Sequence, residues 1–182
     1  MCLLDPKTSG NVNFFNPEKQ TMESIDNIDD DSLKIFRRNI QMIFQDPYES
    51  LNPRWTIKDI IKEPLDIHNI GNLTEREDTI VEILRTVGLT PPENYLSRYP
   101  HEISGGQRQR VSIARTLVMK PKFVICDEPT SMLDVSIRIS IMDLMLNLAK
   151  ELEVSYLYIT HDLAVARYMC DRIAVMFNGK IV

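Results

Sequence analysis

The carboxyl-terminal part of the sequence alternates between short apolar runs and amphipathic runs, and this alternation leaves few possible folds. After Pro121 the runs are, in order, a strand at KFVIC, a helix at VSIRISIMDLMLNLAKELE, a strand at SYLYIT, a helix at DLAVARYMC and a strand at RIAVMF. Strand–helix–strand repeats of this length predict a parallel sheet joined by right-handed crossovers. We therefore expect an α/β protein.

The preceding residues predict a short N-terminal part and a helical part. NVNFF is typical of a short strand, and MESIDNIDDDSLKIFRR of an acidic stretch followed by a helix that Asp31 or Ser32 caps. Two helical patterns follow between residues 57 and 97. The second is opened by Thr74 with Glu77 three residues later, which is the spacing of a capping box. We interpret this region as a helical insert.

Composition and charge exclude several classes of protein. The 182 residues are 43% hydrophobic and 26% charged, as in a globular domain. The formal net charge of −5, without a long run of Lys or Arg, argues against a general nucleic-acid binder. Cys2, Cys126 and Cys170 form no zinc or disulfide pattern and predict reduced thiols. No apolar run approaches the ~18 residues of a membrane-spanning helix, so any role at a membrane is peripheral.

Two acidic residues and one histidine follow neighbouring predicted strands. Asp127 and Glu128 come after KFVIC, and His161 comes after SYLYIT. Loops after parallel strands open at one edge of the sheet, where ligands bind, so we expect the three side chains at that edge. In the functional interpretation, Asp127 reaches a magnesium ion, Glu128 polarises an attacking water and a neutral His161 senses a γ-phosphate. The alternatives are two solvated carboxylates before a turn and a surface histidine.

A second segment, ISGGQRQRVSIARTLVM, places two glycines before an amphipathic helix. Gly105 and Gly106, with the exposed N–H groups of a helix N-terminus, suit an anion. The alternative is a glycine turn capped by Ser104. The same helix carries Arg108, Arg110 and Arg115. For at least two of these arginines we expect a structural role, in a solvated face with one buried ion pair.

These motifs together resemble those of a known family. Gln45 in QMIFQDPYESLNPR, followed by SGGQRQR, FVICDEPTSMLD and YITHD, resembles the ATP-binding subunits of ABC transporters over residues 1–182. RRNIQMIFQDPYESLNPRWTI looks like the dipeptide and oligopeptide import branch, although importers of nickel and other small solutes have similar sequences. The resemblance implies a P-loop NTPase-like (RecA-like) parallel sheet core with a helical subdomain, divided as residues 1–45, 46–103 and 104–182.

The resemblance implies a role for each residue at the sheet edge. Gln45, at the end of the strand NIQMIF, becomes the Q-loop residue that links Mg²⁺ and the attacking water to the permease contact. Asp127 becomes the Walker B carboxylate that binds Mg²⁺, Glu128 the catalytic base and His161 the switch histidine. ATP and Mg²⁺ are the implied ligands.

Other motif residues are implied to act between subunits. Ser104, Gly105, Gly106 and Gln107 become the signature motif, which faces the ATP of a partner, and Asp134 ends the D-loop at the dimer interface. The implied partners are a second ATP-binding subunit, in a homodimer or heterodimer, and transmembrane permease subunits that contact the helical subdomain. A solute-binding protein is an indirect partner, and no nucleic acid is expected. The implied location is peripheral, on the cytoplasmic face of the cell membrane.

One motif of the family does not occur in the sequence. A phosphate-binding loop reads G-x-x-x-x-G-K-[ST], and none of the six glycines begins or completes this spacing. Family members place the loop upstream of the segment that resembles LLDPKTSGNV, so we expect it before Met1, and we expect both ends of the chain to be cut. We predict negligible ATPase activity for this chain alone, because several charge-assisted hydrogen bonds of about 1.5–3 kcal/mol each are then missing.

Three hypotheses about function follow. The first is an incomplete ATP-binding subunit that, when whole, hydrolyses ATP to import peptides or similar small solutes. The second is a non-catalytic partner that supplies its signature motif in trans to a complete subunit. The third is a DNA-repair ATPase, but the halves of such proteins are separated by a long coiled coil, and no heptad run occurs here.

Overall fold

The computed structural model describes residues 9–182, so the thiol of Cys2 lies outside the described residues. The strands are β1 (Asn13–Asn16), β2 (Thr21–Ser24), β3 (Ile40–Ile43), β4 (Phe123–Asp127), β5 (Ser155–Ile159), β6 (Met176–Phe177) and β7 (Lys180–Ile181). The α-helices are α1 (Asp30–Asn39), α2 (Pro47–Ser50), α3 (Ile57–Ile67), α4 (Leu73–Thr86), α5 (Glu93–Leu96), α6 (Gly105–Leu117), α7 (Val135–Glu151) and α8 (Leu163–Met169). Across residues 9–182, no helix has both the length and the apolar composition needed to cross a bilayer.

A parallel sheet in the order β3-β4-β5 confirms the predicted α/β architecture. Cys126 of β4 lies opposite Ile43 of β3 and opposite Tyr158 of β5, so the three strands end at the same edge. Val124 and Cys126 are fully buried, as expected for a central strand of a parallel sheet. Helix α7 connects β4 to β5.

The prediction of a further parallel strand at RIAVMF is wrong. Only Met176 and Phe177 of this segment form a strand, β6, and it pairs antiparallel with β7. Asn178 and Gly179, between the two strands, have φ angles of 47° and 76°. An Asn-Gly pair in this left-handed region closes a two-residue hairpin, which returns the chain onto β6.

The N-terminal part contains a strand that the sequence pattern did not predict. β2 lies at the start of the acidic stretch and pairs antiparallel with β1. Helix α1 begins after Asp29, whose carboxylate accepts a hydrogen bond from the N–H of Ser32 at 2.7 Å, so the predicted cap at Asp31 or Ser32 is wrong. The hairpin packs on α1 through an edge-on contact of Phe14 with Phe36, whose ring centroids are 5.1 Å apart.

The two predicted helices of the helical part are α3 and α4. The cap of α4 differs from the prediction, because Asn72 and Glu75 form the capping box. The side chain of Asn72 accepts from the N–H of Glu75 at 3.0 Å, and the carboxylate of Glu75 accepts from the N–H of Asn72 at 2.8 Å. Asn is a better N-cap than Thr, and it lies two residues earlier, so Thr74 and Glu77 lie inside the helix.

Helix α6 lies at the centre of the molecule and packs against α2, α3, α4, α7 and β3. Its apolar side chains are fully buried in one cluster that extends from Ile43 to Val154. They are Val111, Ile113, Ala114 and Leu117. This burial fixes α6 between the sheet and the helical part.

The predicted solvated face is wrong for Arg108, whereas Arg115 forms an ion pair with Glu63 at 2.7 Å. Arg108 is only 6% exposed, and its guanidinium donates to two backbone carbonyls. Arg110 donates to the carbonyl of Val87, and Arg115 donates to the carbonyl of Ser50 at 3.0 Å. Each guanidinium therefore ties α6 to another segment of the chain.

Candidate active site at the edge of the sheet

Glu128 directly follows β4 and lies at the edge where the parallel strands end. Asp127, the last residue of β4, is paired with Ile159 of β5. The N–H of Glu128 then donates to the carbonyl of Ile159 at 3.0 Å. Because His161 lies two residues beyond Ile159, the strand register brings the two loops side by side, as predicted from the sequence.

The carboxylate of Glu128 contacts two side chains from other loops. Its Oε1 lies 2.7 Å from Nδ1 of His161, and its Oε2 accepts a hydrogen bond from Nε2 of Gln45 at 3.4 Å. The side chain of Glu128 is 22% exposed and that of His161 is 76% exposed. We call Gln45, Asp127, Glu128 and His161 the sheet-edge site.

The contact with Glu128 changes the protonation of His161. The hydrogen bond to Glu128, and then its negative charge, raise the pKa of His161 above the ordinary value of 6.5. Asp162 acts in the same direction more weakly, while desolvation and the positive charge of Arg138 oppose it. The contact therefore shifts the protonation equilibrium of His161 toward the imidazolium, whose two ring N–H groups are both donors, whereas the sequence interpretation used the neutral ring.

The backbone of Glu128 has an unusual conformation. Its φ angle of 44° is in the left-handed region, which costs a residue other than glycine about 1–2 kcal/mol. Ser131 stabilises this turn, because its N–H and its hydroxyl both donate to the carbonyl of Glu128, at 3.1 and 3.0 Å. Backbone strain of this kind concentrates at functional sites.

The sheet-edge site has oxygen atoms that fit a magnesium ion. Asp127 is half-buried at the end of β4. The side-chain N–H of Gln45 donates to Glu128, which leaves the amide oxygen of Gln45 available to a metal ion. Within residues 9–182, no group of three or more His, Cys, Asp or Glu side chains could hold a metal ion. The carboxylate of Asp127 and the amide oxygen of Gln45 are donors of the kind that Mg²⁺ prefers, since this ion is usually held by one or two protein oxygens together with substrate phosphates.

Gln45 lies two residues beyond β3, and the segment after it is fixed on α6. The side chain of Asp46 accepts a hydrogen bond from the N–H of Tyr48 at 2.7 Å and so caps α2. The guanidinium of Arg108 lies 3.7 Å from the centre of the Tyr48 ring and also donates to its hydroxyl. The loop that carries Gln45 is therefore attached to the same helix as the SGGQ motif.

Ser104 to Gln107, which we call the signature turn, form the N-terminal end of α6. The hydroxyl of Ser104 accepts from the N–H of Gln107 at 3.3 Å, and the side-chain oxygen of Gln107 accepts from the N–H of Ser104 at 2.9 Å. The structure thus contains the glycine turn capped by Ser104. The turn does not exclude an anion, because the first N–H groups of a helix have no intrahelical acceptor.

The two glycines of the signature turn differ in their surroundings. A Cβ on Gly106 would lie 2.6 Å from Cγ2 of Ile137, whereas a Cβ on Gly105 would meet Leu133 at an ordinary 3.8 Å. The turn therefore packs closely against the start of α7. Asp134, the exposed N-cap residue of α7, makes no side-chain capping bond and belongs to this same region.

The site residues predicted from the sequence therefore form two groups. Gln45 and His161 contact Glu128, which directly follows Asp127, and the signature turn lies with Asp134 at the start of α7. In the described part of the chain, no hydrogen bond or ion pair joins the signature turn to the sheet-edge site.

One residue near the site was missed by the sequence interpretation. Arg138 lines a cavity of about 70 Å³ together with Glu128 and His161. It is the single charged residue in the run VSIRISIM of α7. An isolated arginine in such an apolar run needs a polar partner, and this is the signal that points to it.

Comparison with known proteins identifies relatives of this chain by sequence. A family model described as "ABC transporter" matches residues 2–131. The oligopeptide transport ATP-binding protein AppF of Bacillus subtilis is 49% identical over 161 residues, which are 88% of this chain and 48% of that protein. The oligopeptide transport ATP-binding protein OppF of the same organism is 54% identical over 148 residues, or 81% and 48% of the two chains. The dipeptide transport ATP-binding protein DppF of Lactococcus lactis is 47% identical over 161 residues, or 88% and 51%. The chain thus spans about half the length of these relatives.

Solved structures agree with this assignment. A dimeric post-hydrolysis state of the ATP-binding cassette MJ0796, bound to ADP and Pi, superposes with a TM-score of 0.78 at 33% identity, over 99% of this chain and 74% of that one. The cbiO1 protein of Clostridium perfringens, part of the ABC transporter complex cbiONQ, gives a TM-score of 0.73 at 29% identity, over 85% and 59% of the two chains. With the motifs, the parallel sheet and the family match in agreement, this chain belongs to the ABC transporter family.

Proposed function

We propose that this chain is part of an ATP-binding subunit that hydrolyses ATP to power the import of peptides or similar small solutes. The observation that carries the proposal is the carboxylate of Glu128, held between His161 and Gln45 at the edge of the sheet. The names of the relatives, which are oligopeptide and dipeptide transport ATP-binding proteins, support the choice of cargo. The activity of the whole subunit is part of the proposal, because the chain covers about half of each relative.

Glu128 is the proposed general base. A carboxylate polarises water when it accepts a hydrogen bond from that water at about 2.6–3.2 Å. Gln45 and His161 each occupy one position on its two oxygens, and a carboxylate offers about four, so positions remain for the water. The two contacts fix the direction of the carboxylate, which reduces the entropy that must be lost when the water is bound.

His161 is the proposed link between this base and the γ-phosphate. One ring N–H of the imidazolium is directed at Glu128, and the largely exposed ring leaves the second N–H for a phosphate oxygen. A charged donor makes a stronger hydrogen bond to a phosphate than a neutral donor does. The raised pKa of His161 therefore favours the form that this role requires.

Asp127 and Gln45 are the proposed protein ligands of Mg²⁺, through a carboxylate oxygen and an amide oxygen. Bound Mg²⁺ supplies neutralisation of the charge that develops on the phosphate oxygens. Asp127 is paired with Ile159 of β5, and the preceding residue, Cys126, is paired on both sides of β4. Gln45 is held by Glu128 and by the attachment of its loop to α6.

The signature turn is the proposed contact with the nucleotide of a second ATP-binding subunit. The positive end of the α6 dipole and the two glycines suit a phosphate that approaches Ser104 from outside the chain. Asp134 lies beside this turn and is proposed at the same dimer interface. The dimeric state of the related cassette with ADP and Pi supports a two-subunit arrangement.

The proposed partners at the membrane are transmembrane permease subunits, with a solute-binding protein as an indirect partner. The cbiO1 structure, described as part of an ABC transporter complex, supports an assembly of this kind. The chain then acts as a peripheral subunit on the cytoplasmic face, and the helical part, residues 46–103, is its proposed permease contact. The net charge of −5 gives no reason to add a nucleic acid to these partners.

The proposal can be tested in a chimera. The 148-residue segment of Bacillus subtilis OppF that matches this chain is replaced by the chain's own residues, and ATP hydrolysis is measured in the assembled importer. We expect magnesium-dependent hydrolysis by the chimera. Glu128→Gln should lower kcat by about 10²- to 10⁴-fold, the usual contribution of a general base.

The matched control is Glu151→Gln, which removes an exposed carboxylate at the end of α7. It should leave kcat unchanged. An ATP-binding measurement on each variant separates loss of chemistry from loss of folding. A chimera that binds ATP and hydrolyses it equally well with Glu128→Gln would contradict the proposal.

A second candidate function is a non-catalytic partner that supplies its signature turn in trans. The intact capping box of Ser104 and Gln107 favours it, because the turn does not depend on the sheet-edge site. Adding this chain to a complete subunit should then promote ATP-driven dimerisation, measured by sedimentation. Unchanged dimerisation would exclude this candidate.

A further inference from the structure

Arg138 lies in the first part of α7 and reaches two different loops. Its Nη2 is 3.5 Å from the carbonyl oxygen of Ser131 and 3.4 Å from that of Leu133, both in the loop that Glu128 begins. Its Nη1 is 3.9 Å from the carboxylate of Asp162, in the loop after β5. One guanidinium therefore spans the loop after β4 and the loop after β5.

These two loops carry the residues that meet at the sheet-edge site. Glu128 is the first residue of one loop, and His161 directly precedes Asp162 in the other. Arg138 lines the same cavity as Glu128 and His161. The 2.7 Å contact between Glu128 and His161 depends on how the two loops are placed relative to each other.

Asp162 gives Arg138 a fixed point to bind. Its Oδ1 accepts hydrogen bonds from the N–H groups of Ala164 and Val165, at 2.8 and 3.3 Å, and so caps α8. Its Oδ2 is the oxygen that faces Arg138. The two oxygens thus have separate partners, and the position of the loop after β5 is set by α8.

The chemistry of arginine suits this position. The guanidinium is a planar fork that contacts several acceptors at once, whereas the ammonium of a lysine is a single point. Arg138 is 28% exposed, and its Nε is buried without a hydrogen-bond partner in the described residues. The side chain therefore binds through its two terminal nitrogens, one directed to each loop.

We propose that Arg138 is a positioning residue that holds the loop of Glu128 against the loop of His161 and so maintains the contact between these two side chains. The importance of this contact for catalysis rests on the proposed function of the sheet-edge site. The role of Arg138 in placing the two loops can be tested without measuring ATP turnover.

The test is an NMR titration of His161 in the wild-type chain and in Arg138→Gln. Three charged groups face His161, namely Glu128, Asp162 and Arg138. A role through charge alone predicts that the pKa of His161 rises in the variant, because a nearby positive charge is removed. Positioning predicts that the pKa falls, because the contact with Glu128 is the largest cause of its elevation.

Amide hydrogen exchange gives a second readout of the same loop. The N–H of Ser131 donates to the carbonyl of Glu128 at 3.1 Å, and the N–H of Leu133 donates to that of Thr130 at 3.3 Å. We expect both amides to exchange faster in Arg138→Gln, because the loop loses the donor that binds its carbonyls. A fall in the pKa of His161 accompanied by faster exchange supports the proposal.

Two further variants keep the test decisive. Arg138→Lys retains the charge without the fork, so the pKa of His161 should fall in it as well, even if Arg138→Gln does not fold. Arg167→Gln, which removes an exposed charge from α8, should change neither readout. A pKa that is unchanged or higher in folded Arg138→Gln and Arg138→Lys overturns the proposal. A chimera that ignores Glu128→Gln would overturn the proposed function but not this inference.

Discussion

The helical part of this chain and its carboxyl-terminal part contain the same kinds of apolar side chain but bury them very differently. Ile61 and Leu84, in α3 and α4, have no exposed surface, whereas Phe177 and Ile181, in the last hairpin, are 67% and 70% exposed. The difference lies in the neighbours. Helix α6 packs against α3 and α4, while in the described residues β6 and β7 pair only with each other. Burial here is decided by tertiary partners and not by residue type.

The sheet-edge site shows the same contrast, because the two strands that precede its residues are buried to different degrees. Glu128 follows β4, whose three central residues are buried, but His161 follows β5, where Ile159 is 46% exposed. Regions with few buried contacts open at lower free energy than a packed core. The contact between Glu128 and His161 therefore joins a rigid element to a less well-packed one.

The largest expected effect tests the comparison with one substitution made in both regions. Ile61→Ala should lower the free energy of unfolding by about 2–5 kcal/mol, because it leaves a cavity among buried side chains. Ile181→Ala should change it by less than about 0.5 kcal/mol, because the side chain is already in solvent. Urea unfolding of both variants measures the difference. Equal losses of stability in the two variants would show that the hairpin is buried in solution and would contradict the difference in burial between the two regions.

The next effect concerns the signature turn, where α6 of the buried region meets α7. Gly106→Ala should destabilise the chain by about 1–3 kcal/mol, because the new Cβ overlaps Ile137. Gly105→Ala is the matched variant and should be neutral or slightly stabilising, because its Cβ has room and alanine favours a helix. Thermal unfolding distinguishes the two. A Gly106→Ala variant as stable as Gly105→Ala would mean that the packing of the turn on α7 is looser than described.

A smaller effect sharpens the description of the helical part. Asn72→Ala should cost about 0.5–2 kcal/mol, because it removes the side chain that caps α4. Thr74→Ala should have almost no cost, because Thr74 lies inside the helix and alanine has the higher helix propensity. The same urea unfolding experiment applies. A larger loss of stability in Thr74→Ala than in Asn72→Ala would show that Thr74 caps the helix, as the sequence predicted.

The sequence allowed the parallel sheet and the shared edge of Glu128 and His161 to be predicted, because both follow from short-range patterns and strand order. The caps at Asp29 and Asn72 were missed because several neighbouring residues are good N-caps, and tertiary packing selects among them. The antiparallel hairpin β6–β7 was missed although Asn-Gly is a strong turn signal.

The contacts of the arginines could not be predicted for a different reason. Arg108 and Arg115 bind carbonyls, and Arg138 spans two loops, so their partners are set by the three-dimensional arrangement. Periodicity along α6 and α7 gives only the direction of each side chain. It contains no information on which acceptor lies at the end of a long side chain.

The smallest expected effect is a pH dependence of stability. The folded-state pKa of His161 is raised above 6.5, so the contact with Glu128 contributes its full stability below about pH 6.5 and loses it as the pH rises through the folded-state pKa. The difference in stability between the wild-type chain and Glu128→Gln should therefore be larger at low pH than at high pH. Unfolding curves at several pH values measure it.

The most direct test of the sheet-edge site is the pKa of His161 itself, measured by NMR in the wild-type chain, in Glu128→Gln and in the control Glu151→Gln. We expect a value above 6.5 in the wild-type chain and in the control, and a lower value in Glu128→Gln, because that variant removes the largest cause of the elevation. The same pKa in all three chains would contradict the contact between Glu128 and His161, and with it the proposed function.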